Sequence, residues 1–199
     1  MFEIVCVTAR ALCPGDFLSQ LERVAAAGVD KILLREKDLP EPEYKLLAAQ
    51  ALALCRRYGV ECAVHNFPQT AKELSAPALH LPLPRLRALS PEERAAFPAL
   101  GPPATAWRMC WRRRSWVLLW HAGHIFPTGA SRACRPGAWS CWHRCAKPPP
   151  CVYAIGGVGP GNIAQVKQAG AAGACVMSGL MTAPDPARLV SQLRKEAGE

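Results

Sequence analysis

Two short apolar runs near the C-terminus each close on glycine: Val152-Tyr-Ala-Ile-Gly-Gly157 and Ala174-Cys-Val-Met-Ser-Gly179. Such a run brings bare backbone N–H groups to the rim of a parallel sheet, where they can hold an anion with no side chain in the way. Between them, Asn162-Ile-Ala-Gln-Val-Lys-Gln-Ala-Gly170 has the spacing of an amphipathic helix, so the two rims lie about one strand-plus-helix repeat apart. When the last two strands of a (β/α)8 barrel supply such rims, they form the usual phosphate pocket of that fold. A glycine after a strand is more often a plain tight turn. The two motifs flanking one helix are what point to an anion site.

Other groups fall where strand ends are expected. Arg35 and Lys37 stand at the end of the second strand, two residues apart, a placement that suits a phosphate or diphosphate. The intervening Glu36 either points away or pairs with one of them, and the plainer reading is a solvated strand end with surface ion pairs. His65-Asn66 ends the third strand, His80 lies in the fourth, and His124 follows Gly123 where a sixth strand would end. One histidine alone would be a structural group. Several at successive strand ends suggest a site, since imidazole moves protons near neutral pH. His121 and His143 receive no role.

The elements that must position these groups are readable before residue 100. A strand is predicted over 2–7 and a helix over 17–27, with Leu18, Leu21, Val24 and Ala25 on one face and Gly28 ending it. Strand 31–35 follows, then a helix over 41–58 whose Leu46, Leu47, Gln50 and Leu54 are read as its inner side. Strand 61–65, a short helix over 69–74 and strand 78–81 complete four β/α units in eighty residues, which implies a parallel sheet. The expected fold is a (β/α)8 TIM barrel forming one domain over 1–199, slightly below the usual size for that fold.

From Gly101 neither period is visible, and order returns at Cys151. Residues 101–150 hold eight Lys/Arg, all six tryptophans and no acid, so the net charge of +9 comes almost wholly from this stretch. Excess Arg, Trp, Cys, Gly and Pro is what GC-rich coding DNA yields when read out of frame. Back-translated in one offset frame, 104–115 reads HSVEDVLEAEKL and 130–145 reads KPGLPPRGLELLAQV, both ordinary protein. Two compensated frameshifts, near 102–121 and 130–150, are therefore inferred, altering the fifth helix and the sixth β/α connection. This predicts an uncovered stretch of barrel wall and an unstable, weakly active product. The competing reading is an Arg/Trp nucleic-acid surface, which needs a scaffold to present its aromatics, and none shows in the pattern. No nucleic-acid or membrane partner is expected. The N-terminus lacks a leader pattern and no apolar run reaches membrane length, so a cytoplasmic protein is expected. The apolar surroundings of Cys6, Cys55, Cys62 and Cys175 suit reduced, buried thiols, and no zinc-ligand spacing stands out.

Leu34-Arg-Glu-Lys37, His65-Asn66, Leu79-His-Leu81, Gly123-His-Ile-Phe126, Ala154-Ile-Gly-Gly157 and Val176-Met-Ser-Gly179, in this order, resemble the thiamine phosphate synthase/TenI superfamily. The resemblance covers about 1–100, 122–129 and 151–195, and the offset strings extend it. It implies a barrel with its active site at the C-terminal rim, a thiazole phosphate substrate and a homo-oligomer. Two activities compete. The synthase joins a pyrimidine diphosphate to thiazole phosphate with Mg²⁺ held by two aspartates; the TenI branch is a thiazole tautomerase that moves a proton by histidine and needs no cofactor. The synthase pattern departs here at Leu33, at Phe67 and at Pro82-Leu83, where Gln, Asp and a Gly-Gln leading to the second Asp would stand. Gly123-His-Ile-Phe126 resembles the TenI segment, which makes His124 the candidate acid/base. Gly156, Gly157, Ser178 and Gly179 would bind the phosphate, with Arg35, Lys37, Asn66 and His80 lining the rim. The tautomerase is the leading expectation, the synthase its alternative, and a non-catalytic phosphate-ligand binder the reading from another class.

Overall fold

The computed structural model describes residues 1–92, 126 and 153–199. Among them six strands form one parallel sheet: β1 (Glu3–Val7), β2 (Lys31–Leu34), β3 (Glu61–His65), β4 (Ala78–His80), β5 (Tyr153–Ile155) and β6 (Gly173–Val176), in the spatial order β4-β3-β2-β1-β6-β5. The connecting helices are α1 (Phe17–Ala26), α2 (Glu41–Arg57), α3 (Pro68–Glu73), α4 (Leu83–Ala88), α5 (Ile163–Gln168), α6 (Ser178–Met181) and α7 (Pro186–Glu196). The first and last parts of the chain meet where β1 pairs with β6, Glu3 opposite Gly173 and Cys6 opposite Val176. Gly173 is required there: a Cβ would collide with the Glu3 carbonyl and lie 2.8 Å from the Tyr153 ring.

Alternation along the strands divides the sheet into two faces. Ile4, Cys6, Ile32, Leu34, Cys62, Val64, Leu79, Ala154, Ala174 and Val176 face the helices and share one core with them. Val5, Val7, Leu33, Ala63, Ala78 and Cys175 form a second cluster of strand residues, joined by Tyr153, Ile155 and Met177. A sheet that carries helices on one face and gathers its own side chains on the other is curled, as in a half-barrel. Each Val, Leu or Ile buried in these clusters contributes about 1.5–3 kcal/mol. Among the described residues the fold is thus a six-stranded parallel α/β sheet of TIM-like form. The expected fifth helix and sixth β/α connection, and the two segments attributed to frameshifts, lie outside the described residues.

The predicted elements recur with small shifts at their ends, except at two places. The inner side of α2 is centred on Tyr44, Ala48, Ala51, Leu52 and Cys55; of the expected residues, Leu47 and Leu54 are partly buried against the core, while Leu46 and Gln50 are exposed. Leu46 is 72% exposed. Alanines at 48 and 51 let the helix lie close on the sheet, and that close approach outweighs the larger leucines. The second glycine-closed run is also shorter than predicted: β6 stops at Val176, and Ser178 and Gly179 open α6. At the N-terminus of α1, Asp16 accepts the Ser19 N–H at 2.7 Å, a bond that holds its carboxyl below the ordinary value. The buried Gln20 on the same helix donates to the Leu180 and Ala183 carbonyls at 2.6 and 3.1 Å. Cys6, Cys55, Cys62 and Cys175 are free and buried, and burial pushes the Cys175 thiol up to about 12. Among the described residues no helix is long and apolar enough to cross a membrane.

Candidate active site at the C-terminal rim

Because every strand runs the same way, the residues that end them share one edge of the sheet: Thr8, Arg35, His65, His80, Gly156 and Met177. Side chains tie that edge together beyond the last backbone pairs. Thr8 Oγ1 accepts the Arg35 N–H at 2.9 Å and donates to Glu36 Oε1 at 2.5 Å, while Glu36 Oε2 accepts the Arg10 N–H at 2.9 Å. Glu36 therefore hydrogen-bonds to neither flanking cation. It turns into the protein, 3% exposed, and burial raises its carboxyl above the ordinary value despite the bonds from Thr8 and Arg10. Arg35, two positions after Leu33, continues the inner face and is half-buried; burial draws its guanidinium down while Glu36 pulls it up, and it stays a cation. Lys37 is exposed.

Tyr44, fully buried on α2, joins the next two strands. Its hydroxyl donates to the Leu34 carbonyl at 2.7 Å and accepts the His65 N–H at 2.8 Å, with the Phe67 ring tilted against it at 4.8 Å. Burial raises its phenol above the ordinary value. One strand further, His65 and His80 stand opposite each other in register, their Nδ1 atoms 2.9 Å apart. Asn66 turns the chain at φ 72°, a left-handed conformation that Asn tolerates better than most residues. Its N–H donates to the His80 carbonyl at 3.0 Å, and its carbonyl accepts from Arg85 Nη1 at 2.8 Å.

At the other end of the sheet, Gly156 and Gly157 both have positive φ, 96° and 68°. Phe126 lies directly against this turn: its N–H donates to the Gly156 carbonyl at 3.1 Å, and a Cβ on Gly157 would come within 2.7 Å of its carbonyl oxygen. Asn162 braces the other side, donating from Nδ2 to the Gly157 carbonyl and accepting the Gly159 N–H at Oδ1, both at 2.9 Å. Gly157 is thus bare because the backbone needs both the conformation and the space, and Gly156 because it needs the conformation. The N–H groups of both glycines make no part of those bonds. Ser178 and Gly179 are exposed on β6's far side of the rim. The structure brings Arg35, His65, Asn66 and His80 together on adjacent strands and sets Gly156, Gly157, Ser178 and Gly179 on the other pair. His124 lies outside the described residues; Phe126 is two residues on. Thr8, Tyr44 and Asn162 were missed by sequence reading. A polar residue in a strand, a Tyr among alanines and an Asn before a helix were the available signals.

The family's sequence profile, thiamine monophosphate synthase, matches residues 4–96. A thiamine-phosphate synthase of Thermus thermophilus is 34% identical over 187 residues, covering 89% of this chain and 87% of that protein. The chain belongs to the thiamine monophosphate synthase family. A second member, the thiamine-phosphate synthase of Bordetella avium, is 35% identical over 181 residues, with 84% of this chain and 82% of the relative covered. Among solved structures, thiamine phosphate pyrophosphorylase from Pyrococcus furiosus superposes with a TM-score of 0.68 over 99% of this chain and 96% of that one, at 21% identity, a likeness of fold.

The family's synthase pattern implies Mg²⁺, and the donor set here does not fit it. Mg²⁺ takes oxygen ligands, carboxylates foremost. No Asp or Glu occurs between residues 94 and 184 of the chain. Where β3 and β4 end, the structure offers two imidazoles and the Asn66 amide; Glu36 is turned inward, and Asp38 pairs with Arg10 at 2.7 Å. Among the described residues no three His, Cys, Asp or Glu form a metal-holding group.

Proposed function

We propose that this member of the family is a TenI-like thiazole phosphate tautomerase built on a closed (β/α)8 barrel. The reading is carried by the docking of Phe126 on the Gly156–Gly157 turn. Phe126 ends the Gly-His-Ile-Phe motif, and His124 is joined to it by two residues of chain, a reach of about 7 Å from Phe126. A phosphate held by the Gly156, Gly157, Ser178 and Gly179 backbone, with Arg35 and Lys37 supplying positive charge, leaves the thiazole ring of the same molecule in reach of an imidazole. Tautomerisation removes a proton from one ring atom and returns one to another, with no net change in protons or electrons. His124 is assigned as the acid/base for that transfer.

The synthase is the second reading, favoured by the names of the Thermus thermophilus and Bordetella avium relatives. Incubating the protein with thiazole phosphate in EDTA and following the tautomers by NMR tests the first; wild type should interconvert them and His124→Ala should not. Release of diphosphate from a pyrimidine diphosphate plus thiazole phosphate, dependent on added Mg²⁺, would replace it by the second. Binding of thiazole phosphate with neither reaction would leave a phosphate-ligand binder.

A further inference from the structure

β1 and β2 pair in parallel with Val7 opposite Leu33, and Thr8 carries the pairing one residue further by donating its N–H to the Leu33 carbonyl at 2.9 Å. In a continued parallel ladder the next bond would run from the Arg35 N–H to the Thr8 carbonyl. The side chain makes it instead: Thr8 Oγ1 accepts the Arg35 N–H at 2.9 Å. The main chain of β1 can then leave for the short helical turn Arg10–Leu12 while Arg35 stays in register. A hydroxyl that accepts through one lone pair still has a hydrogen to place, and Glu36 Oε1 takes it at 2.5 Å. Glu36 Oε2 accepts the Arg10 N–H at 2.9 Å, so both carboxylate oxygens face donors.

Thr8 is fully buried and Glu36 nearly so. Holding one backbone N–H in this way is costly, because a buried hydroxyl and a buried carboxylate do what a ladder carbonyl does without them. Stability is therefore a poor account of the arrangement. Asp38 is drawn to the same loop, its Oδ2 accepting from Arg10 Nη2 at 2.7 Å. In the run Arg35-Glu-Lys-Asp38 both acids are thus engaged by Thr8 and Arg10, and the two cations alternate with them. None of these bonds uses the Arg35 guanidinium, which continues the inner face at the rim and is half-buried.

We infer that Thr8 and Glu36 are positioning residues for anion binding: together they fix the backbone of Arg35 so that its guanidinium meets the phosphate of the substrate. The role rests on the reading of Arg35 as a phosphate ligand, and neither Thr8 nor Glu36 has to touch the substrate. Thr8 sets the place of the Arg35 main chain, Glu36 orients the Thr8 hydroxyl, and the Arg10 N–H keeps the Glu36 carboxylate turned inward. A side chain that starts from a fixed backbone loses less freedom on meeting an anion than one at a loose strand end.

A double-mutant cycle with Arg35 tests it, read by calorimetry of inorganic phosphate binding to the full chain. Arg35→Ala should weaken binding about tenfold or more through loss of a charge-assisted bond. Thr8→Val keeps the shape of the side chain and removes the hydroxyl; it should weaken binding about fivefold, while Thr8→Ser should stay within about twofold of wild type. In the Arg35→Ala background Thr8→Val should cost nothing further, because its effect passes through Arg35. Glu36→Gln, which offers one acceptor oxygen in place of two, should weaken binding about threefold and be silent in the same background. It carries the test alone where circular dichroism shows Thr8→Val unfolded. A merely structural part would give losses that multiply with that of Arg35→Ala, and this result overturns the proposal. So does wild-type affinity in Thr8→Val or Glu36→Gln when Arg35→Ala has lost it. If Arg35→Ala binds phosphate like wild type, or wild type binds none, the phosphate reading of the rim fails and the positioning role with it.

Discussion

The hydroxyl of Tyr44 accepts the backbone N–H of His65 at 2.8 Å while donating to Leu34, so one phenol spans the ends of two strands whose next residues line the rim. Tyr44→Phe keeps the ring against Phe67 and removes only this bridge. It removes the hydroxyl's two hydrogen bonds, each worth about 0.5–1.5 kcal/mol. Urea unfolding should show that loss, with turnover reduced more than substrate affinity. An unchanged midpoint would mean water or another group replaces the hydroxyl.

Glu36 should make stability depend on pH in an unusual direction. Its carboxyl is harder to ionise in the folded chain than in the unfolded one, so its burden is absent below the unfolded value of about 4.3, grows as pH rises from there to the raised folded value, and is complete above it. Glu36→Gln removes this titration but also gives up one of the two acceptors used by Thr8 and Arg10. The variant's stability deficit should therefore be larger at pH 4 than at pH 7. A deficit that grows with pH would show that the bonds to the carboxylate outweigh its burial.

Gly157 and Gly161 separate space from composition. At Gly157 a side chain meets Phe126 and a positive φ, whereas at Gly161 nothing lies within 4 Å and no positive φ arises. Gly157→Ala should cost about 1–3 kcal/mol and weaken inorganic phosphate binding at least tenfold by calorimetry. Gly161→Ala should stay within about 0.5 kcal/mol of wild type. Equal effects at the two positions would argue that Phe126 does not rest on the turn.

The face of α2 can be read by paired substitutions. Leu46→Gln, at an exposed position, should change stability by less than about 0.5 kcal/mol. Ala48→Leu, at a fully buried one, should cost about 1–3 kcal/mol by overpacking. Thermal denaturation of both distinguishes this face from the leucine side.

Local pattern was enough for most of the frame. Short continuous apolar runs marked β1 to β4, and β3 matched residue for residue, because such runs and their glycine or proline punctuation are properties of neighbouring residues. The motifs around Arg35, His65, His80 and Gly156 placed a site at strand ends, and their order pointed to the family.

What needed the tertiary structure were the relationships between distant residues. Leucine spacing on α2 found the edge of the buried face, where Leu47 and Leu54 pack, but not its centre, which is Tyr44, Ala48, Ala51, Leu52 and Cys55. Glu36 stood between two cations in sequence and yet bonds to Thr8, 28 residues away. Which residue types stand at the strand ends, and in what order along the chain, was legible from neighbouring residues alone. Only the folded sheet decided that His65 meets His80 through Nδ1, that Tyr44 bridges β2 and β3, and that Phe126 occupies the space a Gly157 side chain would need. Each of these depends on strand register and helix approach, which arise from packing over the whole domain rather than from local preference.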